Sequence, residues 1–139
     1  MTRHELREFA FVLVFEQAVT KGSMQEIIDS AEELREVKVE KFAQTLALGV
    51  EANIEKIDEV INKFSRGWSV TRLSKVSAAT LRLAVYELLF ETKTPIGVSI
   101  NEAVEIAKKY GDKDDASYVN GVLSSVSKDT DLMGNKINI

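Results

Sequence analysis

Arg3 and Arg7 stand four residues apart near the start of the chain, with His4 beside the first and Phe11 and Phe15 continuing the same spacing. On a helix, residues four apart share one face. Guanidinium groups pair with phosphate and rings stack on unpaired bases, so charge followed by ring suits single-stranded RNA. The same spacing also describes an ordinary amphipathic helix with Phe11 and Phe15 in the core, and the pattern alone favours that reading. His4 is the only histidine; its plain reading is a solvated side chain, and a nucleic-acid contact is the sharper one.

Other chemistry is scarce. There is no cysteine, which excludes disulfides, thiolate zinc sites and cysteine nucleophiles. One histidine cannot make a histidine-rich metal site, and near a terminus it is poorly placed for a Ser-His-Asp arrangement. No GxxxxGK[ST] phosphate loop or GxGxxG turn occurs. Carboxylate pairs such as Glu32 with Glu33 and Asp114 with Asp115 read as solvated helix faces. Binding is therefore expected rather than catalysis, with no metal and no cofactor. The net charge of −4 argues against a general polyanion binder, because nonspecific affinity comes mainly from phosphate neutralisation. Any nucleic acid must meet a local basic patch, with a partner's help.

The elements that would position these residues are helices. The 139 residues are 45% hydrophobic and 29% charged, which fits one domain, 1–139, with a frayed tail from about 127. One proline and seven glycines leave room for long helices. Helical periodicity predicts a first helix from Arg3 to Lys21 stopped by a left-handed Gly22. A second follows a Ser23 capping box and reaches Arg35. A long third runs from Lys38 to Phe64 on a stripe from Val39 through Val50 and Ile57 to Phe64. A turn near Val70 to Leu73 precedes a fifth element, capped by Ser74 or Ser77 and running to Glu91. It is apolar nearly all round and so is the expected centre of the fold. A helix from a Ser99 capping box ends at Tyr110 before Gly111, and a last one runs from Asp115 to Val126. No alternating strand is evident, so the class is all-α. The N-terminus lacks the features of a signal peptide, and no apolar run approaches the roughly 20 residues needed to span a bilayer. A cytoplasmic home without membrane contact is expected.

The run Asn101-Glu102-Ala103-Val104-Glu105-Ile106-Ala107-Lys108-Lys109-Tyr110-Gly111, followed by Tyr118-Val119-Asn120-Gly121-Val122-Leu123, resembles the C-terminal hallmark of the NusB family. Leu81-Arg82-Leu83-Ala84-Val85-Tyr86-Glu87-Leu88 and Arg7-Glu8-x-Ala10 match it in order and spacing. Gly121 inside a helix would be explained by close approach of another helix, since glycine there costs about 1 kcal/mol relative to alanine.

The resemblance implies about seven helices in two packed halves, and a transcription antitermination factor. Family members bind the boxA element of rRNA leader transcripts with the small-subunit ribosomal protein NusE. The pair joins an RNA polymerase elongation complex with other Nus factors. Carried over by position, the RNA face comprises Arg3, His4, Arg7, Phe15, Asp114, Tyr118 and Asn120, and the NusE face Thr71, Arg72 and Ser77. Phe15 stands where the family often has tyrosine, so stacking survives without a hydroxyl contact. Ser77 stands where an acidic residue is common, which weakens an ion pair there. Glu5 interrupts an arginine cluster that is thinner than in some members, so RNA affinity without NusE should be low. A NusB-like domain also occurs fused to rRNA cytosine methyltransferases, but this chain has no room for a methyl-donor domain and no enzymatic activity is expected. The competing reading is a helical protein-interaction module that has lost RNA binding. Monomer and homodimer are both compatible with the sequence.

Overall fold

The computed structural model describes residues 1–35 and 38–134. Among them are eight α-helices: α1 (Arg3–Thr20), α2 (Met24–Arg35), α3 (Lys41–Ala52), α4 (Ile54–Phe64), α5 (Lys75–Phe90), α6 (Ile96–Tyr110), α7 (Lys113–Ser127) and α8 (Thr130–Met133). One 3-10 turn, Val70–Arg72, precedes α5. No strand occurs among the described residues.

Side-chain chemistry sets the helix ends. Thr2 and Glu5 form a capping box at α1: the Glu5 amide donates to Thr2 Oγ1 at 3.1 Å, and the Thr2 amide to Glu5 Oε1 at 3.0 Å. The left-handed residue that stops α1 is Lys21, at φ 61°, and not Gly22 as expected. Lys21 can bear this because its neighbours are tied down. Gln17 Nε2 donates to the Gly22 carbonyl at 3.1 Å and to Glu51 at 2.7 Å, and Glu51 also accepts the Met24 amide at 2.8 Å. Those bonds offset the roughly 1–2 kcal/mol that a left-handed non-glycine residue costs.

The expected single helix over 38–64 is two helices. Asn53, at φ −119°, interrupts it, and its Nδ2 donates to the Gly49 carbonyl at 2.9 Å. A side chain competing for a helical carbonyl favours a bend. The apolar spacing continues across the break, which is why periodicity alone did not reveal it. Farther on, α6 starts directly after Pro95 rather than at a Ser99 cap. Ser99 lies inside its first turn, 1% exposed. The acidic turn from Asp112 to Asp115 caps α7, with Asp112 as the N-cap and Asp115 closing the capping box, so the helix starts two residues earlier than expected. The expected fraying from Ser127 is corrected over 127–134 by α8, where Asp129 accepts the Leu132 amide at 3.1 Å and Met133 is buried; the rest of that expected tail, 135–139, lies outside the described residues.

Helices α1, α2 and α3 pack together, as do α5, α6 and α7, and α5 also touches α1, α3 and α4. This is the expected pair of helical halves with α5 at the centre. The side chains of Leu81, Leu83, Val85 and Leu88 are all buried. Where α1 meets α5, Arg7 Nε donates to Glu87 Oε1 at 3.0 Å and Oε2 at 3.2 Å, both side chains almost wholly buried. Apolar burial against such a centre is the main driving force for folding.

The close helix approach expected at Gly121 is absent there, since Gly121 is exposed and no heavy atom lies within 4 Å of where a Cβ would sit. It occurs instead at Gly49, where the Tyr86 ring occupies the space a Cβ would need. Gly49→Ala should therefore lower stability. Alanine contributes about 1 kcal/mol of helix propensity, but overpacking costs about 1–3 kcal/mol. A urea midpoint at or above the parent's would show that the Tyr86 ring moves aside freely.

Candidate nucleic-acid and partner surfaces

The first two turns of α1 carry Arg3, His4 and Arg7 to one groove, shared with Phe42 of α3 and with Lys93, Pro95, Val98 and Glu102 around the start of α6. The three basic residues differ in what they offer. Arg3 is exposed, its guanidinium stacked over the Phe42 ring at 3.8 Å from the centroid. His4 is half-buried; its Nδ1 makes a short contact with Glu102, and Nε2 is 3.9 Å from Glu8. Arg7 is 5% exposed and committed to Glu87. The expectation that Arg7 lies on the RNA face is therefore corrected. A guanidinium held bidentate in the interior would have to abandon a buried carboxylate to reach a phosphate.

The ring face is likewise turned inward. Phe11 is 2% exposed and packs 6.0 Å from Phe15 and 4.9 Å from Tyr110, centroid to centroid. Phe15 is half-buried and packs against the core. It retains an accessible edge but is no free platform. Glu8 ties this face to α6 through Lys109 and through the Tyr110 hydroxyl, which donates at 2.5 Å. Burial of the hydroxyl, then its bond to the Glu8 carboxylate, push the Tyr110 pKa up to about 12.

Asp114, Tyr118 and Asn120 project from α7, Asp114 and Asn120 exposed and Tyr118 half-buried. Asp114 and Tyr118 line a depression of about 320 Å³ with Phe64, Arg66, Ser117, Gly121 and Val122. It shares no residue with the Arg3 groove. The structure thus places the expected RNA face in two parts. The Tyr118 hydroxyl donates to the Ser65 carbonyl at 3.0 Å and so anchors the 65–69 connection. That connection turns through left-handed backbone at Arg66 (φ 55°) and Gly67 (φ 90°), leaving Trp68 53% exposed.

Trp68 lies beside the expected partner face, where Thr71 and Arg72 are both exposed on the 3-10 turn. Ser77 is not on that face. It is 3% exposed, and its Oγ donates to Asp115 Oδ1 at 2.7 Å, so its placement as a partner contact is corrected. Asp115 also accepts from Ser74 Oγ at 2.6 Å and from the Asp112 amide at 3.0 Å. Burial alone would raise the Asp115 pKa, but these hydrogen bonds outweigh it and hold the carboxyl below the usual aspartate range. A depressed folded-state pKa stabilises the fold above the ordinary aspartate value of about 3.9, and that contribution is lost as pH falls through the depressed value. Asp115→Asn should therefore flatten the acid limb of stability measured by urea unfolding from pH 6 down to pH 2. An unchanged acid limb would mean that Asp115 is not held below the usual range.

The carboxylate pairs expected to be merely solvated are each divided. Glu33 and Asp114 face water, while Glu32 accepts the Val39 amide at 2.8 Å and Asp115 holds the start of α5 to α7. Sequence reading missed Phe42, Arg66, Trp68 and Lys93. The available signal was a tryptophan placed in a Ser-Arg-Gly break, where a large ring has no helix to bury it. No group of three or more potential ligands that could hold a metal ion occurs among the described residues, and no helix among them is long and apolar enough to cross a membrane.

A helical scaffold that carries cations, an exposed indole and grooves at its surface defines a binding protein. The family profile described as the NusB family matches residues 4–128. The transcription antitermination protein NusB of Natranaerobius thermophilus is 40% identical over 132 residues, covering 91% of this chain and 95% of its own. T. maritima NusB superposes with a TM-score of 0.84 at 35% identity, covering 93% of this chain and 92% of its own. A crystal structure of the antitermination factors NusB and NusE in complex with dsRNA contains a chain that superposes at 0.81 with 30% identity, covering 92% of this chain and 98% of that one. The chain belongs to the NusB family. Its relatives bear the name transcription antitermination protein NusB, and the protein is a transcription antitermination factor of this class, not an enzyme.

Proposed function

We propose that this protein binds the boxA element of rRNA leader transcripts together with NusE, and that the pair enters an RNA polymerase elongation complex with other Nus factors and resists premature termination. The observation that supports this reading is the match, over 92% of this chain, to one chain of a crystal structure of NusB and NusE in complex with dsRNA. The exposed residues support it with their chemistry. Arg3 offers a phosphate contact, the accessible edge of Phe15 a ring, and Asp114, Tyr118 and Asn120 polar groups near bases. Thr71 and Arg72, with Trp68 beside them, form the face for NusE. His4 acts through its contact with Glu102, and Arg7 acts at one remove by fixing α1 against α5. The place of action is the cytoplasm, where the transcript is made.

The net charge of −4 and one exposed arginine in α1 leave few phosphate contacts for this chain alone. Two proteins sharing one RNA combine their contacts through effective concentration. Gel-shift titration of boxA RNA should therefore show NusE tightening binding by roughly tenfold or more. Equal affinity with and without NusE, in the same salt, would sink the cooperative reading. NusE binding without any RNA affinity would favour a protein-interaction module.

A further inference from the structure

We propose that a small polar cavity between α1, α5 and α6 binds one structural water molecule, which accepts from the Ser99 hydroxyl and donates to the Glu87 carboxylate, and so bridges α6 to the Arg7–Glu87 pair. The site lies inside the fold and does not depend on what the surface binds.

Ser99 calls for such a partner. Its side chain is 1% exposed, and among the described residues its Oγ is the one buried side-chain nitrogen or oxygen with no hydrogen bond. A buried hydroxyl left unpaired loses the hydration it had in the unfolded chain and gains nothing in return. A serine or threonine inside a helix commonly avoids this by donating to the carbonyl four residues back. Thr80 does so, its Oγ1 donating to the Val76 carbonyl at 2.7 Å. Ser99 does not. The Pro95 carbonyl already accepts the Val98 amide at 3.1 Å and the Ser99 amide at 3.3 Å.

Ser99 lines the cavity instead, together with Thr80, Glu87, Glu102 and Arg7. The space open to the centre of a water-sized sphere is about 10 Å³, which is roughly what one water requires. It is too small for an organic molecule or for a metal ion with its ligands. A buried water also needs about two to four polar partners, and a purely apolar cavity stays dry. Here the wall supplies them. Ser99 gives a proton, the Glu87 carboxylate accepts, and the Thr80 oxygen, its own proton committed to Val76, accepts as well. Arg7 Nε holds Glu87 at 3.0 and 3.2 Å. A carboxylate has about four acceptor positions, so the water adds to that pair without breaking it. Arg7 and Glu102 line both this cavity and the surface groove that holds Arg3, so they form the partition past which the water exchanges with solvent.

Two measurements on the full chain test the site. A crystal structure that resolves ordered waters should show one density peak in the cavity, within hydrogen-bond reach of Ser99 Oγ and of the Glu87 carboxylate. In solution, magnetic relaxation dispersion of the water oxygen counts long-lived internal waters and is blind to hydroxyl protons that exchange. Its amplitude should fall by about one water per molecule in Ser99→Val, because one methyl replaces the hydroxyl and the other fills the space. A cavity without density would overturn the proposal, above all if Ser99 Oγ is found turned to the Pro95 carbonyl. A parental amplitude in folded Ser99→Val would overturn it too. If Ser99→Val does not fold, the density in the parent decides alone.

Discussion

Arg7→Ala is expected to lower folding stability by about 3–5 kcal/mol, because it strands a buried carboxylate. Arg7 and Glu87 are joined at 3.0 and 3.2 Å, and their side chains are 6% and 2% exposed. The pair sits where α1 meets α5, so the uncompensated charge would lie between the two helical halves. Glu87→Ala should cost a similar amount for the same reason. Replacing both with apolar residues, Arg7→Met with Glu87→Leu, should recover most of the loss, since a buried ion pair is worth little more than well-packed hydrophobic side chains. Urea unfolding of the four proteins measures this directly. Parental stability in Arg7→Ala would mean that Glu87 reaches water or another partner, and the pair would not be the tie described. For the folded fraction of Arg7→Ala, the salt slope of RNA binding should match the parent's, because no phosphate contact is removed.

Phe11→Ala should also cost about 3–5 kcal/mol, the penalty for emptying an aromatic site in a packed core. The Phe11 ring is fully enclosed between Phe15 and Tyr110. Phe15→Leu, by contrast, should cost less than about 1.5 kcal/mol, since the residue is only half-buried and the replacement keeps most of the volume. Any loss of RNA affinity in Phe15→Leu can then be read apart from folding. If Phe11→Ala and Phe15→Leu shift the midpoint equally, the two rings share one environment and the inward turn of this face is wrong.

These two residues show what the sequence could and could not convey. The spacing Arg3, Arg7, Phe11, Phe15 does define one helix face. Spacing fixes which residues lie together but not which way the face points. That depends on long-range partners, Glu87 80 residues from Arg7 and Tyr110 on α6. The helices themselves were legible because their apolar residues recur at a single period and their caps are local. α1, α2, the 3-10 turn and α5 lie close to where the pattern placed them. The misplacements at Gly22, Ser99 and Ser77 share a cause. Each residue type has a local habit, and here a distant or adjoining group overrides it: Gln17 and Glu51, Pro95, and Asp115. Of the carried-over RNA residues, Arg3, His4 and Arg7 line one groove and Asp114 and Tyr118 another, a division that depends on packing between distant elements and that sequence order does not show.

The break at Asn53 turns α4 into a lever with its fulcrum at residue 53. Its 11 residues give it an arm of about 16 Å at the helical rise, and the far end carries Phe64, which lines the depression with Tyr118 and Asp114. A change of 10° at the fulcrum would swing that end by roughly 3 Å, the width of a hydrogen bond. The wall that Phe64 gives to the α7 depression thus lies three turns from the bend at Asn53, and the packing of α4 on α5 and α7 holds it in place.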